Sequence, residues 1–125
     1  MAGETGLNAL LDIRDRTLAD DRAEVTMDAG DSHLNIGGVV HGGAIATLID
    51  VAMGRAYGSG LGDGERPVTI EMKVNFLEPA RAGQLVATAE VRRRGRMVTV
   101  VHAQVVQVED GETVAEAMGT FTSTG

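Results

Sequence analysis

From Val68 onward the chain alternates apolar and polar side chains with a period of two. Val68, Ile70, Met72, Val74 and Phe76 fall on one face of an extended segment, and Thr69, Glu71, Lys73 and Asn75 fall on the other. That alternation predicts a strand with one face buried. Pro79 and Gly83 interrupt the chain before a second extended segment over residues 84–93. A turn near Gly95 leads into the β-branched run 97–108, and Glu109-Asp110-Gly111 turns the chain into a last strand over 112–122. Upstream, residues 22–28 (RAEVTMD) predict a short first strand. Residues 1–21 are polar and weakly patterned. They predict a weakly structured N-terminal segment in which Leu7, Leu10, Leu11 and Leu18 form one short, loosely packed helix.

Between the first strand and the later ones the pattern changes. Residues 29–43 hold five of the seventeen glycines together with His33, Asn35 and His41, and read as a loop. From Ala44 to Gly54 only Thr47 and Asp50 have polar side chains, and Asp50 carries the only charge. This predicts a helix from about Gly43 to Tyr57, stopped by the glycines at 58, 60, 62 and 64. A helix apolar on nearly every side is a buried helix. Strand, long helix, then four antiparallel strands is an α+β pattern. The expected architecture is one domain over residues 1–125, a curved antiparallel sheet wrapped around the helix 43–57. The six methionines and Phe76 are expected in its core.

Charge narrows the partners. A net charge of −7 argues against nucleic acid or an anionic membrane. No run of about 20 apolar residues is present, which argues against a membrane span. The start, MAGETGLNAL, lacks the basic and apolar regions of an export signal, so a cytoplasmic protein is expected. Cysteine is absent, which removes disulfides and thiolate chemistry. His33 and His102 have no partner at metal-ligand spacing, so no metal is expected. Four of the eleven basic residues, Arg92, Arg93, Arg94 and Arg96, occupy five positions. Such a cluster is either a local anion site or a charged hairpin tip.

The chemistry concentrates at the helix. A carboxylate on an apolar helix is costly unless it is paired, hydrogen-bonded or neutral, so Asp50 needs a reason. Backbone N–H groups at Gly42 and Gly43, at the positive end of the helix dipole, offer a seat for a developing oxyanion. A base and an oxyanion donor on one helix point to acyl transfer. They are eight residues apart, about 12 Å along the axis, too far to reach one carbonyl together. Two antiparallel helices in a dimer would close that gap.

The stretch Asn35-Ile36-Gly37-Gly38-Val39-Val40-His41-Gly42-Gly43, with Asp50 seven residues later, resembles the PaaI-like group of hotdog-fold acyl-CoA thioesterases, relatives of the 4-hydroxybenzoyl-CoA thioesterases. The strand from Val68 to Leu77 with Pro79, the turn Arg94-Gly95-Arg96 and the closing Gly119-Thr120-Phe121 carry the resemblance over residues 22–123. It implies the hotdog fold and hydrolysis of an acyl-CoA to acid and CoA. Asp50 would activate water or attack the thioester carbonyl. Gly42 would supply the oxyanion N–H, Asn35 would position water or thioester, and Thr69 would support the nucleophilic water. His41 and Gly43 would lie against substrate, with His41 also open to a capping role. Arg94, Gly95 and Arg96 become candidates for the CoA phosphates, which suit arginine's fork of donors. Coenzyme A would be part of the substrate, with no separate cofactor. The resemblance also implies homodimers that share their sites, with Gly42 and Asn35 of one chain facing Asp50 and Thr69 of the other, and dimers paired into tetramers. Two other functions stay open from sequence: a hotdog dehydratase or hydratase acting on acyl thioesters, and a non-catalytic acyl-CoA-binding module.

Overall fold

The computed structural model describes residues 5–125. A short helix, α1 (Gly6–Leu10), is followed by strands β1 (Ile13–Ala19) and β2 (Arg22–Ala29) and a single 3₁₀ turn, Asp31–His33. The long helix α2 (Gly42–Gly58) precedes β3 (Arg66–Phe76), β4 (Gly83–Arg94), β5 (Thr99–Gln107) and β6 (Thr113–Thr124). All six strands form one sheet in the order β1-β2-β4-β5-β6-β3, and every neighbouring pair is antiparallel. The chain leaves β2 through α2, reaches the far edge at β3, and returns to place β4 beside β2. This is the hotdog arrangement expected from the sequence.

The helix packs one stripe into the sheet. Ala44, Ile45, Leu48, Ile49, Ala52, Met53, Ala56 and Tyr57 are buried, and they repeat with the spacing of a single helical face. Val25, Met27, Leu85, Val101, Val105, Val114 and Phe121 cover them from the sheet. At Gly119 on β6 the two layers approach closely: a Cβ there would lie 2.7 Å from the Met53 sulfur.

Four expectations need correction. The helix is not buried all round, because Ala46, Thr47, Asp50, Val51 and Gly54 are only partly covered. These are mostly small residues, which count as apolar in a pattern but carry little surface to bury. The segment 1–21 is not weakly structured over its described part. Leu7 and Leu10 lie on α1, but Leu18 lies on β1, an edge strand paired with β2. Only Ile13 of β1 is buried, so a strand held by backbone pairing left almost no hydrophobic period to read. Met27 and Met53 are core residues, whereas Met97, Met118 and Phe76 are exposed; Met1 lies outside the described residues. Finally, Val68 does not share a face with Met72, Val74 and Phe76, because β3 slips register against β6 between Thr69 and Glu71.

Candidate active site

That slip builds the site. Thr69 pairs with Phe121 and Met72 pairs with Gly119, leaving Ile70 as the extra residue of a β-bulge. Side chains of directly paired residues point to the same face of an antiparallel sheet. Thr69 therefore joins Met72, Val74 and Phe76 on the helix side, where strict alternation would have put it outside. Its hydroxyl donates to Oδ1 of Asp50 at 2.6 Å. The bond is charge-assisted and fixes the carboxylate. Oδ2 of Asp50 has no hydrogen-bond partner among the described residues, and the pair sits on the partly open side of α2.

At the start of the helix, the two glycines have different duties. The Gly43 N–H donates to Nδ1 of His41 at 2.8 Å, so His41 is the N-cap. The Gly42 N–H has no partner among the described residues. The expected pair of free donors is thus a single one, Gly42, because the histidine cap consumes the other. Phe76, expected in the core, stands beside it: a Cβ on Gly42 would lie 3.5 Å from the ring. It is the last residue of β3, directly before exposed Leu77.

Asn35 works on its own loop. Its Oδ1 accepts from the N–H groups of Gly37 at 2.8 Å and Val39 at 3.4 Å, while its backbone pairs with Val39 and Gly38. The side chain closes the loop 35–39 that leads into the helix. The structure brings Asp50 and Thr69 together, and puts Asn35 and Gly42 in the segment entering the same helix, fifteen and eight residues before Asp50.

The arginine turn divides. Arg94 donates to Asp21 at 2.6 Å and to the Tyr57 carbonyl at 3.1 Å, and its guanidinium lies 5.0 Å from the Tyr57 ring centre. It fastens the β4 end to the last turn of α2. Gly95 is required by the hairpin, since a Cβ there would overlap the Val98 carbonyl oxygen, and its N–H donates to Thr99. Arg96 is exposed and has no partner among the described residues. A cavity of about 630 Å³ on the outer face of the sheet, lined by Arg22, Lys73, Glu90, Arg92, His102 and Glu116 among others, includes none of the residues at the helix.

Comparison with known proteins gives the family. The chain is 31% identical to the E. coli PaaI protein from the phenylacetic acid degradation operon, with a TM-score of 0.86 over 94% of this chain and 83% of that one. A Streptococcus mutans protein solved bound to acetyl CoA aligns with a TM-score of 0.81 and 29% identity, covering 90% of this chain and 89% of that one. A medium/long-chain acyl-CoA thioesterase of Salmonella typhimurium is 32% identical over 96 residues, 66% of this chain and 61% of that protein. A family model described as the thioesterase superfamily matches residues 37–114, from the loop that enters α2 through the start of β6. The chain belongs to the thioesterase superfamily.

Proposed function

We propose that the chain hydrolyses acyl-CoA thioesters to the free acid and CoA, at sites shared between two copies. The observation that carries this is the Thr69–Asp50 bond, which leaves one carboxylate oxygen open on the uncovered side of α2. Asp50 takes a proton from water as the water oxygen attacks the thioester carbonyl. The oxyanion that forms is held by a Gly42 N–H, and its collapse expels the CoA thiolate, a good leaving group that needs no general acid. Direct attack by Asp50 followed by hydrolysis of the resulting anhydride uses the same groups. No cofactor is called for beyond the CoA carried by the substrate.

Gly42 and Asp50 lie about 12 Å apart along their helix at 1.5 Å per residue, so the donor must come from a second copy. The edge strand β3 supports this. Its outer backbone edge pairs with no strand among the described residues, and Val68, Ile70 and Phe76 leave apolar surface open, a pattern that single chains normally blunt. Pairing β3 with β3 about a two-fold axis would extend the sheet and set two helices side by side, and further pairing into tetramers belongs to the same proposal. Of the candidates Arg94 and Arg96, it is Arg96, exposed and with no partner among the described residues, that would meet a CoA phosphate.

The test is release of free thiol from short-chain, long-chain and aryl acyl-CoAs. Asp50→Asn is expected to keep the fold and lose roughly 10²–10⁴-fold in turnover, the size of a general-base contribution. Loss of enoyl absorbance without thiol release would indicate a hydratase, and binding without turnover a carrier module. Near-normal turnover by the Asn variant would rule out the Asp50 chemistry.

A further inference from the structure

His33 enters none of the steps above, yet it is a buried polar side chain, 5% exposed, with both ring nitrogens engaged. The Gly30 N–H lies 3.0 Å from Nδ1, and Nε2 lies 2.6 Å from the Leu11 carbonyl. An N–H can only donate and a carbonyl can only accept, so the two contacts together require the tautomer with its proton on Nε2. One ring thereby joins the end of β2 to the junction of α1 and β1.

The same residue holds the segment that enters α2. The His33 carbonyl accepts from the His41 N–H at 2.7 Å. Inside that pair, Leu34 and Val40 form an isolated antiparallel bridge and the Asn35 N–H donates to Val39 at 2.8 Å. The loop 34–40 is therefore a closed lariat whose neck is His33 and His41. Residue 41 caps the helix, and the next N–H in the chain is the unpartnered donor of Gly42. Besides the neck, the lariat is tied to the sheet side through the Val40 N–H to the Ala80 carbonyl. The neck is also held by its backbone, since the His33 N–H donates to the Gly30 carbonyl at 2.9 Å and the His41 carbonyl accepts from Ala44 and Ile45. The ring of His33 adds the tie to Leu11, at the junction of α1 and β1.

We propose that His33 is a positioning residue for the reaction: its ring fixes the lariat neck and so sets where the Gly42 N–H points. This rests on the thioesterase function proposed above, in which that N–H holds the oxyanion. An oxyanion donor acts on a charge that exists only in the transition state, so its displacement lowers kcat and leaves KM nearly unchanged. A misplacement of about 1 Å is enough for losses of up to about 10²-fold.

Three variants separate the contacts. His33→Asn keeps an acceptor near Nδ1 for Gly30, His33→Gln keeps a donor near Nε2 for Leu11, and His33→Ala keeps neither. With each protein fully folded by circular dichroism, kcat for thiol release is expected to fall about tenfold or more in the Ala variant, with KM within about twofold. Each of the Asn and Gln variants is expected to recover part of the loss. The Gly42 amide resonance in ¹H–¹⁵N spectra reports the same displacement without turnover. It should shift in His33→Ala and hold still in a distant control, Arg22→Ala. Wild-type kcat in folded His33→Ala, or an unmoved Gly42 resonance, would overturn the proposal. If the wild-type protein releases no thiol from any acyl-CoA while the resonance still shifts, the function is wrong and the positioning stands.

Discussion

Thr69 reaches Asp50 because one residue, Ile70, is extra in its strand. The hydroxyl orients Oδ2 of the carboxylate through a charge-assisted bond of the kind worth about 1.5–3 kcal/mol. Thr69→Val preserves shape and removes the donor, so kcat is expected to fall by about one to two powers of ten, since 1.4 kcal/mol is one. Thr69→Ser keeps the hydroxyl and should stay within a few-fold of wild type. Equal rates in the two variants would assign the bond to packing alone. The arginines divide in the same way. Arg94→Ala removes an ion pair, a carbonyl contact and a ring contact, and should lower Tm with KM little changed. Arg96→Ala should leave Tm alone and raise KM for acyl-CoA, with a smaller effect on a truncated thioester that lacks the phosphates. Asp50 and Gly42 were legible in the sequence, since a lone charge in an apolar helix and a glycine pair at its start are visible in one dimension. The face of Thr69 was not, because a bulge is a property of two strands and their register. Nor did sequence decide between the capping and substrate-contacting roles of His41, which depends on where its ring turns.

At the level of elements, pattern reading worked where a hydrophobic period is present, including β3, of which no residue is buried, and failed where it is absent. Strands β4, β5 and β6 and helix α2 carry a clear hydrophobic period because one side of each meets the core. Strand β1 buries Ile13 alone and was missed. The turn between β5 and β6 is held by an exposed carboxylate. Asp110 accepts from the Glu112 N–H at 3.0 Å and from Arg81 at 2.8 Å, which clamps this turn to the link between β3 and β4. The backbone N–H of Glu112 first, and the Arg81 guanidinium second, hold the Asp110 carboxyl below its ordinary value. A group with a depressed folded-state pKa contributes stability that is fully present above its unfolded value, near 3.9. The contribution is lost as pH falls through the lower folded value. In urea titrations the wild type is therefore expected to exceed Asp110→Asn at neutral pH, and the two midpoints should converge below pH 4. The difference is small because the clamp is exposed to solvent. A gap that persists undiminished at pH 2 would show that ionisation of Asp110 plays no part.

For the whole molecule, the decisive property of the proposed reaction is that its two groups lie eight residues apart on one helix, at the start and in the middle of α2. Testing it requires removing the Gly42 donor without disturbing the helix, and the local backbone allows this. Gly42 is the first residue of α2, where proline is favoured, and its N–H has no partner to lose. His41 sits at φ −60 and ψ 135, within the extended region that a following proline demands. A Cβ at residue 42 meets only the Phe76 ring, at an ordinary 3.5 Å. Gly42→Pro should therefore fold normally and lose turnover by about 10²–10³-fold, as expected for an oxyanion donor. Mixed with Asp50→Asn under subunit exchange, it should regain activity. A hybrid dimer then has one site built from an intact Gly42 and an intact Asp50, and a second site with both removed. With free exchange half of the dimers are hybrids, so recovery should approach about a quarter of wild-type activity for a two-fold assembly. If each chain carried a complete site, every site in the hybrid would contain one lesion and no activity would return. Exchange confirmed by native mass spectrometry, with activity still absent, would therefore reject the shared site and return both groups to a single chain.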